Sequence, residues 1–228
     1  MNYIEPFSFY LYYFSESVAL DATSLQVTFS DPVGNMEYLE YLDSYRYPLA
    51  GEFSMRADVF NDIRIPSDWG LEVGVMSEVY RNLSRHQICQ VDIADQYDHK
   101  HQPLSLEDAQ GGLVKMSAEI AKSLYRKLAT EGVSLAMEDF RSIKASYFRI
   151  ALDSIEQYHY DAMINGLQFD RHGEEGSIDL FIQSIMQAGE SFLTSPMEAP
   201  FMPNWNRVAS AIPDFGEQLL DAVAADND

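Results

Sequence analysis

Ile65-Pro-Ser-Asp-Trp-Gly-Leu-Glu-Val-Gly74 and, further on, Ile88-Cys-Gln-Val-Asp-Ile93 decide how this chain reads as a fold. From Gly70, the apolar residues Val73, Met76, Val79, Tyr80 and Leu83 recur at helical spacing. Asp68 stands where an N-cap belongs, which puts Glu72 in the first turns, near the positive end of the helix dipole. Ile88 to Ile93 alternates apolar and polar side chains in the manner of a strand. Polar groups placed where helices and strands begin or end are the binding groups of α/β folds. The expected fold class is therefore α/β.

Working outward, residues 1–35 fit poorly with the rest of the chain. Phe7-Ser-Phe-Tyr-Leu-Tyr-Tyr-Phe14 is strand-prone but alternates weakly, and Asp31-Pro-Val-Gly-Asn35 is loop chemistry. Met36 to Leu42 reads as a short helix ending at Asp43-Ser44, and Phe53 to Phe60 as another, stopped by Asn61 and Pro66. Everything after Pro103 reads helical. Ser105-Leu-Glu-Asp108 has the form of a capping box, and Met116, Ile120, Leu124 and Leu128 then repeat until Gly132. A further helix runs from about Met137 to Tyr160, and another carries Ile178, Phe181, Ile182, Ile185 and Met186 and ends near Gly189. Pro196, Pro200 and Pro203 make an extended crossing before Trp205; Pro213 interrupts the last helical stretch, and the tail Ala-Ala-Asp-Asn-Asp is expected to fray. The chain thus divides into three regions: 1–35, an atypical or truncated start; 36–104, a partial α/β unit; and 105–228, a helical appendage.

Composition narrows the class of partner. With 46% hydrophobic and 13% aromatic residues, the 228-residue chain is globular rather than disordered. Its net charge of −21 argues against nucleic acid and against anionic membrane surfaces. Phosphorylated ligands would need a metal cation, or Arg and Lys gathered locally. The one cysteine, Cys89, excludes an internal disulfide, fits a reducing compartment, and in its apolar run reads as a buried, inert thiol. No apolar stretch approaches the ~20 residues that span a bilayer, and a basic flank and cleavage site are missing at the start. The expected location is the cytoplasm.

Three motifs carry chemistry. Pro48-Leu-Ala-Gly-Glu52 reads as a tight turn that needs the absence of a Cβ at Gly51, and Glu52 can bond hydroxyls or neighbouring backbone. Trp69-Gly-Leu-Glu-Val-Gly74 offers a carboxylate, Glu72, that can stay ionised while accepting sugar hydroxyls. In Asp98-His99-Lys100-His101, a neutral imidazole can complete the oxygen shell of a divalent cation, and a lysine can meet phosphate as a point charge. Each also has a plainer reading: an architectural turn, a helix-start glutamate without a ligand, a solvated charged run.

Together with Asn165-Gly-Leu-Gln-Phe-Asp-Arg-His172 and Pro200-Phe-Met-Pro-Asn-Trp-Asn-Arg-Val208, the motifs resemble the C-terminal half of the glucosyl-3-phosphoglycerate synthases, from near Met36 to the end. The resemblance implies the C-terminal part of a nucleotide-diphospho-sugar (GT-A-like) glycosyltransferase fold. It implies transfer of glucose from a nucleotide sugar to the 2-hydroxyl of 3-phosphoglycerate with retention, on the way to the compatible solute glucosylglycerate. No residue here is a convincing covalent nucleophile, so the mechanism implied is front-face attack assisted by the leaving phosphate. By the same resemblance Glu72 contacts the hexose and orients the acceptor hydroxyl, backbone near Gly51 and Glu52 lines the floor beneath the sugar, and Trp69 flanks it. His99 ligates magnesium (or manganese) together with an Asp-x-Asp motif of the other half, Lys100 meets phosphate, and His101 falls on the acceptor loop. A homodimer is implied as well. No Asp-x-Asp precedes Glu52, so the chain reads as an incomplete form of the enzyme. The alternative is a non-catalytic dimerisation or interaction module descended from one.

Overall fold

The computed structural model describes residues 36–45, 48–49, 51–91, 112–198 and 201–227. Its helices, in chain order, are α1 Met36–Asp43, α2 Ala57–Asp62, α3 Leu71–Asn82, α4 Gly112–Thr130, α5 Met137–Asn165, α6 Arg171–Thr194, α7 Trp205–Ala211 and α8 Phe215–Asp226. A 3-10 turn at Arg85–Gln87 follows α3. The four-residue rhythm of α4 buries Ile120, Leu124 and Leu128, and α6 packs against both α4 and α5. Phe140 and Tyr147 of α5 and Ile178 and Ile185 of α6 fill the space between, with the Tyr125 and Phe140 rings 4.8 Å apart. Burying each such side chain contributes about 1.5–3 kcal/mol, so this layer is the main source of stability.

Tyr38, Leu39 and Leu42 of α1 and Val73 of α3 enter the same core. The opposite side of α3 presents Val75 to Val59 and Ile63, a second, smaller cluster. The buried Glu78 ties α3 to the segment before it, accepting the backbone N–H of Arg64 at 3.0 Å and pairing with Arg81 at 3.3 Å. With apolar contacts on two faces and this anchor, α3 cannot roll about its axis, which fixes where its first turn points. The C-terminal segment closes onto α2: Met202 donates its N–H to the Ile65 carbonyl at 2.8 Å, and the Asn204 amide donates to the Asp62 carbonyl at 2.9 Å.

The expected α/β, GT-A-like fold is not what the chain adopts. Among the described residues there is no strand; the architecture is helical throughout. Ile88 has strand-like angles, φ −119° and ψ 135°, but it follows a 3-10 turn and donates its N–H back to the Arg85 carbonyl of that turn, and residues 88–91 form no strand. Alternation alone does not make a strand: the backbone needs a neighbouring ladder to bond, and Gln90 and Val91 stand exposed instead. Cys89 is exposed too, against the expectation of a buried thiol.

Other boundaries differ for local reasons. Phe53 to Arg56 stay out of the helix, and α2 starts only at Ala57, where Arg56 is extended and its guanidinium pairs with Asp58. The fourth expected helix does not stop at Gly189. A Cβ there would lie 2.6 Å from the Phe140 ring, so that glycine marks the close approach of α5 and α6 rather than an end. The tail holds as α8 through Asp226. The capping box at Ser105 to Asp108 lies outside the described residues.

Candidate functional site

Gly51 has φ +80°, a left-handed conformation that side chains rarely adopt, so the turn from Pro48 to Glu52 requires a glycine at that point. The turn runs close to the start of α3. An atom at the Cβ position of Gly51 would sit 3.9 Å from Oε1 of Glu72, an ordinary van der Waals contact. Two motifs separated in sequence therefore meet, the bare backbone of one facing the carboxylate of the other. Glu72 stands in the first turn of α3, as the spacing implies, and is half-buried. Burial pushes its carboxyl above the usual range, while its own backbone N–H pulls the other way. Glu52 is exposed, and Trp69, three residues before Glu72, is 42% exposed.

The loop that carries Trp69 is fastened from two sides. Asp68 is not the N-cap; Gly70 is, and it provides no side-chain cap. Asp68 Oδ1 instead accepts the Gly70 N–H at 3.0 Å, while Oδ2 lies 3.5 Å from Nη2 of the buried Arg126. Glu119 Oε2 accepts the N–H of Trp69 at 2.9 Å. Ser123 presses so close that a Cβ on Gly70 would come within 2.8 Å of its own. Glu119, Ser123 and Arg126 all belong to α4 and succeed one another by about one turn. The sequence does not single them out; the signal available is a helix whose apolar rhythm is interleaved with Lys122, Ser123, Arg126 and Lys127, which a solvent-facing stripe alone would not need buried.

Comparison with known proteins identifies the lineage. The chain is 42% identical to a glucosyl-3-phosphoglycerate synthase of Persephonella marina over 195 residues, which is 86% of this chain and 48% of that protein. It is likewise 42% identical to a glucosyl-3-phosphoglycerate synthase of Methanococcoides burtonii over 193 residues, 84% of this chain and 47% of that one. The chain belongs to the glucosyl-3-phosphoglycerate synthase family. It spans about half the length of the curated relatives it matches. No family model matches the chain, and no solved structure does.

For a member of this family, the described residues supply only part of the expected site. Glu72 and Gly51 come together; Glu52 and Trp69 flank them in sequence. His99, Lys100 and His101 lie outside the described residues. Among the described residues no three His, Cys, Asp or Glu side chains gather to hold a metal ion, so these residues alone do not fit a magnesium site. Two clefts, of about 260 Å³ beside Trp205 and Phe215 and about 300 Å³ beside Ser191 and Glu198, touch neither Gly51 nor Glu72. No helix among the described residues is long and apolar enough to cross a membrane.

Proposed function

We propose that this chain supplies the sugar- and acceptor-facing part of a glucosyl-3-phosphoglycerate synthase, which moves glucose from a nucleotide sugar to the 2-hydroxyl of 3-phosphoglycerate with retention of configuration. The juxtaposition of Gly51 and Glu72 is the observation that carries the reading. A bare turn gives a hexose room to lie flat against backbone, and a half-buried carboxylate beside it accepts sugar or acceptor hydroxyls more strongly than it would in water. Glu72 thereby orients the hydroxyl that attacks, and Trp69 offers an exposed aromatic face to the apolar side of the ring. A divalent cation, magnesium or manganese, neutralises the leaving diphosphate in this reading. Its ligands would have to include residues beyond the described ones, His99 among them, with Lys100 and His101 near the phosphates and the acceptor. The product would be the phosphorylated precursor of glucosylglycerate, formed in the cytoplasm. Large exposed apolar side chains such as Ile164, Met197 and Leu220 support self-association, and a homodimer is part of the proposal.

The test is to join the chain to the portion of a full-length relative that it does not cover and to supply glucose donor and 3-phosphoglycerate. Formation of the glucosylated acceptor with the donor's anomeric configuration is expected. An inverted product, or transfer to other acceptors in preference, would refute it.

A further inference from the structure

The loop that leads into the first turn of α3 is held against α4. We infer that α4 acts as a positioning element for Glu72, with Glu119 as the residue that holds the Trp69–Glu72 turn in register, seconded by Arg126 acting through Asp68. Three contacts, one per turn of α4, meet three consecutive residues. Glu119 takes the Trp69 N–H at 2.9 Å, Ser123 abuts Gly70, and Arg126 lies 3.5 Å from the same Asp68 carboxylate whose other oxygen takes the Gly70 N–H. Gly70 in turn accepts the first intrahelical bond of α3, from the N–H of Gly74 at 2.8 Å. A shift of the turn along α4 would therefore carry Glu72 away from Gly51. Two features mark these contacts as more than packing. Glu119 keeps only 25% of its side chain exposed although Lys115 is 3.9 Å from its other oxygen, so the carboxylate is drawn inward to a backbone N–H rather than outward to its cation. Gly70 has an ordinary φ of −77°, so what excludes a side chain there is the nearness of α4 and not backbone strain.

The inference rests on the reading of Glu72 as the sugar-contacting residue, but its test needs no substrate and so stands or falls apart from transfer activity. Amide exchange and proton–nitrogen spectra of the whole 228-residue chain would compare the parent with Glu119→Ala and Glu119→Gln. Loss of a bond to a charged acceptor should speed exchange at the Trp69 amide by about 10- to 100-fold in Glu119→Ala, with Gln restoring part of the protection because it keeps an oxygen acceptor. The change should be confined to residues 68–72, and the Glu72 carboxyl titration should fall toward its ordinary range as water reaches the loosened turn. Unchanged exchange at Trp69, or a loss of protection spread evenly to the Asn82 end of α3, would overturn it. If Glu119→Ala fails to fold, the pH response of the Trp69 amide proton decides: it tracks the Glu119 carboxylate in the parent and disappears in Glu119→Gln, whereas its persistence would overturn the inference.

Discussion

Replacing Glu174 by glutamine should make the protein more stable at neutral and alkaline pH and leave it little changed in mild acid. Glu174 lies in the first turn of α6 and is 5% exposed. Burial, and secondarily the charge of Asp170, push its carboxyl from 4.5 up to about 7. The folded state therefore holds this proton more tightly than the unfolded chain does. Stability from this group is fully present below the unfolded value and is lost as pH rises through the window from 4.5 to about 7. At about 1.4 kcal/mol per unit, the span corresponds to about 3 kcal/mol. The dipole at the start of α6 favours the ionised form, and partial water access reduces the cost further, which leaves about 2 kcal/mol. Glutamine fills the same space and never ionises. Urea unfolding monitored by helical circular dichroism, from about pH 5 to about pH 8, should show the variant pulling ahead of the parent and the gap levelling off above about pH 7. A gap independent of pH, or a variant less stable than the parent at about pH 8, would refute the reasoning, because it would mean that Glu174 is not a strained ionised carboxylate in the folded protein.

Gly189→Ala should cost about 1–3 kcal/mol in the same unfolding assay, because the added methyl would meet the Phe140 ring at 2.6 Å, and Phe140→Leu in the same chain should recover part of the loss. In the reconstituted full-length enzyme, His99→Ala should lower affinity for the divalent cation by about 10- to 100-fold; an unaltered metal titration would remove His99 from the site. Light scattering should show a dimer or larger species that grows with ionic strength, since salt screens the repulsion carried by a net charge of −21. A monomer at both low and high salt would show that the exposed apolar side chains of α5 and α8 do not associate.

The helices were legible where apolar residues keep one period over several turns, as Met116, Ile120, Leu124 and Leu128 do. They were misjudged where the deciding contact comes from far along the chain. Nothing around Gly189 announces Phe140, and the ring turns an expected helix end into a helix crossing. Ile88 to Ile93 has the composition of a strand, but a strand is defined by a ladder beside it, and residues 88–91 are not part of one. Of the site, Glu72 in the first turn of α3 and the bend at Gly51 could be read from local chemistry. Their meeting could not, since it depends on α3 being wedged between two apolar clusters. Glu119 and Arg126 were hidden for the same reason: charged residues on a long helix look solvated until the loop that they hold is placed against them.

The central claim is that the carboxylate facing Gly51 handles the sugar and the attacking hydroxyl, and Glu72→Gln in the reconstituted enzyme tests it most directly. Glutamine keeps the shape and the contact with the turn but loses the charge that orients the hydroxyl. Turnover with 3-phosphoglycerate should fall by at least about 100-fold, with the amide spectrum of the turn and the unfolding midpoint little changed. Turnover within about twofold of the parent, in a variant that remains folded, would contradict the account and leave the Gly51–Glu72 contact as architecture alone.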